Sequence, residues 1–167
     1  MSNTNPSPRL LAILADTDHA AFLASATAAR YAAEGVQINV ISPNAEYADA
    51  DQTICELVAH IRRHRPDVVV TSGPWDSSDD VHRMVIGQQA TAAVMRAPDP
   101  RYGHTCCARG THAVSKLFYT ATDGPITTRI DGDTYYRAFS TATVVPGTEM
   151  DLFDSLRRST TLVTVAA

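Results

Sequence analysis

No apolar run in this 167-residue chain approaches the roughly 20 residues a helix needs to cross a bilayer, so membrane insertion is not expected. Excess positive charge is missing too. The formal net charge is −4, and the one basic cluster, Arg62, Arg63 and Arg65, reads as a solvated helix end rather than a nucleic-acid footprint. Cysteine is scarce: three residues, with Cys106 and Cys107 adjacent, do not make the disulfide framework of a secreted domain. The adjacent pair reads as neither metal ligand nor nucleophile. There is no internal repeat. Residues 1–8 are polar and Pro-containing, unlike a secretory signal, and read as a flexible leader; a cytoplasmic location is the expectation. What the chain has in quantity is apolar surface, since 44% hydrophobic residues over this length suits a single domain, 9–167, with a full core.

Chemistry is concentrated where the first apolar run stops. Residues 10–15, LLAILA, form the short continuous apolar run of a strand buried on both faces of a parallel sheet. Asp16, Thr17, Asp18 and His19 follow at its carboxyl end, the end at which open α/β sheets bind ligands. Ala21, Phe22, Ala24, Ala28 and Tyr31 then recur at helical spacing, with Thr17 or Asp18 as the cap. Residues 36–42, VQINVIS, predict a second strand closed by Pro43, and residues 67–72, DVVVTS, a third. Between them Ile54, Leu57, Val58 and Ile61 line one face of a helix over 49–63, which Pro66 stops. A further helix carries Val85, Ile86, Ala90, Ala93 and Val94 on its apolar side, with Ser77, Ser78 or Asp79 as cap. A surface loop over 97–112 and a fourth strand over 115–121 come next. Beyond these the pattern predicts a hairpin over 126–145 turning at Asp131, Gly132 and Asp133, a short helix over 151–158 and a last strand over 160–165. The fold class is therefore α/β: a Rossmann-like three-layer α/β/α sandwich with a mostly parallel sheet, residues 10–15 at its centre between 36–42 and 67–72.

Residues 29–36, ARYAAEGV, with the apolar strand and acidic cluster before them, resemble the opening of the PIG-L/LmbE-like family of zinc-dependent N-deacetylases and amidases. RPDVVVTSGP around residue 70 and KLFY at 116–119 resemble later family segments, so the likeness runs past the middle of the chain. In the register set by ARYAAEGV, Asp16 stands where the family has its first ligand His, Asp18 at its catalytic Asp, and His19 at its ligand Asp. His82 stands at the third ligand and Asp79 at the presumed acid His. Ala20 replaces the family Glu, and several tens of residues that help wall the pocket in longer members are absent here.

The resemblance implies one divalent ion held by Asp16, His19 and His82, with Asp18 as general base and Asp79, beside Asp80, as the acid. Zn is the implied metal; two His and one carboxylate also suit Fe(II), which is the alternative. Glu46 matches a substrate-contacting position after the second strand, and His112 a pocket position before the fourth. The implied activity is removal of an acyl group from an N-acylated small molecule, an amino sugar or a natural-product amide, by metal-activated water. The alternative is a diverged member using the rearranged site for non-hydrolytic chemistry or for ligand binding alone. The expected partner is a small-molecule substrate, with no nucleic acid and no membrane; homo-oligomerisation is left open. His60 and His64, spaced i, i+4, lie at an arginine-rich helix end and read as solvated rather than as a shared metal site.

Overall fold

The computed structural model describes residues 7–15, 26–43, 49–75, 81–102 and 110–120. Four strands, β1 (Arg9–Ile13), β2 (Gln37–Ile41), β3 (Val68–Ser72) and β4 (Lys116–Thr120), make one sheet in the order β2-β1-β3-β4 with every pairing parallel. The helices are α1 (Ala26–Ala33), α2 (Ala50–His64) and α3 (Val81–Arg96). As the apolar run predicts, β1 is central, and each side chain of residues 10–15 is buried. Its ladder ends at Ile13, two residues before the burial does. Leu14 still donates its N–H to the Ile41 carbonyl at 3.0 Å, so the chain is tied to the sheet one residue past the last rung.

Side chains alternate between the two faces of the sheet, as a pleat requires. Leu11, Ile13, Val69 and Leu117 pack against the apolar stripes of α2 and α3, whereas Leu10, Ala12, Leu14, Val68 and Val70 pack with Tyr31 of α1 on the other face. The architecture is the predicted α/β/α sandwich. No helix among the described residues is long and apolar enough to cross a membrane.

Local sequence explains the helix ends. In α1 the Val36 N–H bonds to the Tyr31 carbonyl at 2.9 Å and the Gly35 N–H to Ala32 at 3.1 Å, the paired bonds of a Schellman motif, with Gly35 at φ 80. The ARYAAEGV stretch is thus a helix C-terminus returning the chain to β2. The Asp49 carboxylate accepts from the Asp51 N–H at 3.2 Å and opens α2. At the other end Arg65 adopts φ 50, a left-handed conformation costing a non-glycine residue about 1 kcal/mol, and Pro66 prevents continuation.

Two of the polar expectations need correction. Arg62 is not part of a solvated helix end: it is only 4% exposed, and its guanidinium donates to the carbonyls of Ala97 (3.0 Å), Tyr102 (3.0 Å) and Asp99 (2.7 Å). A planar fork of five donors can satisfy three carbonyls leaving the end of α3, where the helix dipole also favours a cation. His60 and His64 are half-buried, not solvated, and their rings lie parallel with centroids 5.9 Å apart. Cys55 of α2 is disulfide-bonded. The chain's other cysteines, and the elements predicted over 126–165, lie outside the described residues.

One contact seats α3 on the sheet. A Cβ on Gly87 would run into the Ser72 carbonyl oxygen and lie 3.0 Å from the Gly73 carbonyl carbon, so the two backbones approach as closely as only glycine allows. Because β3 ends at Ser72, this contact fixes where the amino end of α3 stands over the carboxyl edge of the sheet.

Candidate functional site at the carboxyl edge of the sheet

Parallel strands deliver their carboxyl ends to one edge, where connections leave for the helices. At this edge β1 passes through buried Leu14 and Ala15 into Asp16, and β3 closes on Thr71 and Ser72 before the turn at Pro74 and Trp75. α3 returns from the same edge with His82 in its first turn, half-buried. His82 precedes Gly87 by five residues, about 7.5 Å along the axis, which carries it past the strand end that Gly87 touches. Of the residues assigned from sequence, Asp16, Asp18, His19, Glu46 and Asp79 lie outside the described residues. Among the described residues no three His, Cys, Asp or Glu side chains group as a metal site.

His112 is placed elsewhere. Its Nε2 lies 2.7 Å from the Pro66 carbonyl oxygen, ahead of β3 and therefore at the amino edge. A carbonyl only accepts, so Nε2 carries the proton. Burial holds the His112 pKa below its ordinary value, against the opposing pull of that hydrogen bond. A five-residue strand is about 17 Å long, so a substrate contact from His112 does not fit a site at the carboxyl edge.

The structure adds residues that local reading passed over. Thr71 Oγ1 and Ser72 Oγ are buried and find no hydrogen-bond partner among the described residues, an expensive arrangement in an otherwise satisfied strand. The signal was present in DVVVTS, where an apolar strand closes on two hydroxyls. Trp75 and Tyr119 meet edge to face at the same edge, with ring centroids 5.1 Å apart.

No protein-family model and no curated protein sequence matches the chain. Solved structures do. The N,N′-diacetylchitobiose deacetylase of Pyrococcus horikoshii, determined with its inhibitor MPG, superposes with TM-score 0.66 over 80% of this chain and 67% of its own, at 13% identity. This chain has a PIG-L/LmbE-like fold. The conserved protein TT1542 of Thermus thermophilus superposes with TM-score 0.61 over 77% of this chain and 74% of its own, at 18% identity. At such identities the likeness is one of backbone. A PIG-L/LmbE-like fold with β1 at the centre is what the opening segment implied, and its carboxyl edge is where β1, β3 and the first turn of α3 meet.

Proposed function

We propose that the chain is a metal-dependent hydrolase that removes an acyl group from an N-acylated small molecule, an amino sugar or another natural-product amide. The observation that carries this reading is the seating of α3. Gly87 against Ser72 holds the His82 turn over the edge at which the buried end of β1 runs into Asp16. The donor chemistry fits a divalent ion: Asp16, His19 and His82 offer two imidazoles and one carboxylate, a set that leaves coordination positions open. An ion bound there, Zn first and Fe(II) as the alternative, would supply Lewis acidity and lower the pKa of water to about 7.

The remaining roles fall to the chain's own groups. Asp18 is the general base that takes a proton from the attacking water, and Asp79 the acid that returns one to the leaving amine. For that, Asp79 needs a carboxyl pKa above the usual value of about 4, and the adjacent charge of Asp80 works in that direction. Glu46 is the substrate contact after β2. The deacetylase among the structural neighbours motivates the first substrates to try, N,N′-diacetylchitobiose and N-acetylglucosamine.

The test strips the full chain with a chelator, restores Zn or Fe(II) separately, and follows acetate release beside metal content. The proposal expects one metal equivalent, activity that returns with metal, and loss of both in His82→Ala. Full metal occupancy in His82→Ala removes His82 from the ligand set. Stoichiometric metal without hydrolysis of any N-acyl substrate replaces the hydrolase reading with the non-hydrolytic one.

A further inference from the structure

Trp75 is the chain's only tryptophan, and it stands 54% exposed at the carboxyl edge. An exposed indole is ordinarily a free surface side chain. This one has a ring neighbour, and the turn that carries it is tied to α3. Its ring meets Tyr119 of β4 at 5.1 Å and 63°. Tyr119 is held in turn through its hydroxyl, 2.9 Å from Thr91 Oγ1, while Thr91 donates to the Gly87 carbonyl at 2.6 Å. Since the threonine proton is committed to that carbonyl, the tyrosine O–H is the donor between the two hydroxyls. In the same turn the Pro74 carbonyl accepts from Gln88 Nε2 at 3.1 Å, and Gly87 abuts Ser72 and Gly73. The turn that carries Trp75 is therefore fastened to the same segment of α3 that sets the position of His82.

We infer that Trp75, backed by Tyr119, is the platform on which the ring of the N-acylated substrate lies. This rests on the hydrolase reading and names the part of the substrate that the metal and carboxylates do not. Trp75 follows Gly73 by two residues, at most about 7 Å of chain, and His82 precedes Gly87 by about 7.5 Å of helix. Both thus lie close to the place where Gly87 of α3 meets the end of β3. A rigid aromatic face beside a site is suited to a flat, weakly polar partner, because no conformational freedom is lost in presenting it. The face of a six-membered ring, pyranose or aromatic, has that shape; an acyclic amide does not. Tyr119 is a positioning residue: it touches Trp75 and orients it.

Because the chain has one tryptophan, emission excited beyond the absorption of its six tyrosines reports on Trp75 alone. The experiment titrates the metal-loaded full chain with N,N′-diacetylchitobiose, with acetanilide and with the acyclic N-acetylethanolamine, following fluorescence and, separately, acetate release. The inference expects a saturable fluorescence change with one or both ring-bearing ligands and none with the acyclic one. In Trp75→Ala the kcat/KM preference for a ring-bearing over the acyclic substrate should narrow by roughly 3- to 10-fold, with Trp75→Phe between the two. Saturable fluorescence without turnover would keep the platform and overturn the hydrolase reading. Turnover of a ring-bearing substrate with no fluorescence change would overturn the platform and keep the hydrolase reading. A preference unchanged in Trp75→Ala likewise overturns the platform, and absence of any fluorescence response overturns it whatever the turnover.

Discussion

Replacing Gly87 with alanine separates local propensity from packing, because the two predict opposite signs. Glycine inside a helix costs about 1 kcal/mol relative to alanine, so in a freely solvated helix Gly87→Ala would stabilise by that amount. Gly87 is buried against backbone instead, and its new methyl would meet the Ser72 carbonyl oxygen and the Gly73 carbonyl carbon at 3.0 Å. Neither neighbour is a flexible side-chain end that can swing away. Relief requires α3 to lift from β3, which loosens the packing of Ile86, Ala90 and Val94 on the sheet. Overpacking costs about 1 to 3 kcal/mol, and contact with backbone rather than with a side-chain end puts this case at roughly 2 to 3 kcal/mol. With the propensity gain subtracted, a net loss of about 1 to 2 kcal/mol is expected, or a Tm lower by roughly 2–8 °C for a chain of this size. Urea unfolding followed by circular dichroism gives the sign directly. The variant should also hold metal more weakly, since the lifted helix carries His82. A Tm equal to or above that of the parent protein would refute the close backbone approach and, with it, the argument that places His82 over the strand ends.

Four further outcomes are expected, three from the structure and the last from the proposed site. Arg62→Lys keeps the charge but serves fewer of the three carbonyls, and should cost about 2 kcal/mol in denaturant unfolding; an unchanged midpoint would show the buried fork to be dispensable. Burial lowers the pKa of His60, His64 and His112 below 6.5, so the unfolded chain binds more protons than the folded one. Stability of the metal-free protein should therefore be full above pH 6.5 and fall as pH drops from there through the folded values, with a shallower fall in His112→Gln; a profile flat from pH 7 to 5 would contradict this. Cys55 is bridged and the chain has three cysteines, so one thiol should titrate before reduction and three after it, whereas three beforehand would remove the bridge. Asp18→Asn should keep the metal and lower turnover by ~10² to 10⁴-fold if Asp18 is the base, while weakened metal binding rescued by excess ion would make it a group that orients His19.

The parallel sheet was legible because its cause is local. A strand covered on both faces must be apolar at successive positions, and LLAILA and DVVV state that directly; they are β1 and β3, side by side. The same signal overran the end of β1, since hydrophobicity reports burial rather than pairing, and Leu14 and Ala15 are buried beyond the last rung. Arg62 and His112 were misplaced for a different reason. Their partners stand 35 to 46 residues away along the chain, so no window centred on either residue contains the carbonyls that bury it. The assignment of Asp16, Asp18 and His19 depended on register carried from residues 29–36, a stretch whose own work is to end α1 and begin β2, and that of His82 on residues 79–82 standing where the family has H-P-D-H before a helix.

The two edges of the sheet differ in a way that bears on where chemistry can occur. At the amino edge the strand ends are hydrogen-bonded to one another. Asp67 accepts the Arg9 N–H on its carboxylate at 2.9 Å, donates its own N–H to the Arg9 carbonyl, and takes the N–H groups of Ser115 and Lys116 on its carbonyl. Gln37 donates to Pro8, Arg9 Nη1 reaches the His64 carbonyl, and His112 closes on Pro66. That edge is a clasp binding β1, β2, β3 and β4 to one another. At the carboxyl edge two buried hydroxyls find no partner among the described residues, a tryptophan is half exposed, and the turn that carries it is hydrogen-bonded to α3 while its ring rests on Tyr119 of β4. Unsatisfied polar groups reduce stability and persist where something other than stability is selected. The asymmetry assigns structural duty to the amino edge and supports the proposed placement of a ligand at the carboxyl edge, where the first turn of α3 carries His82.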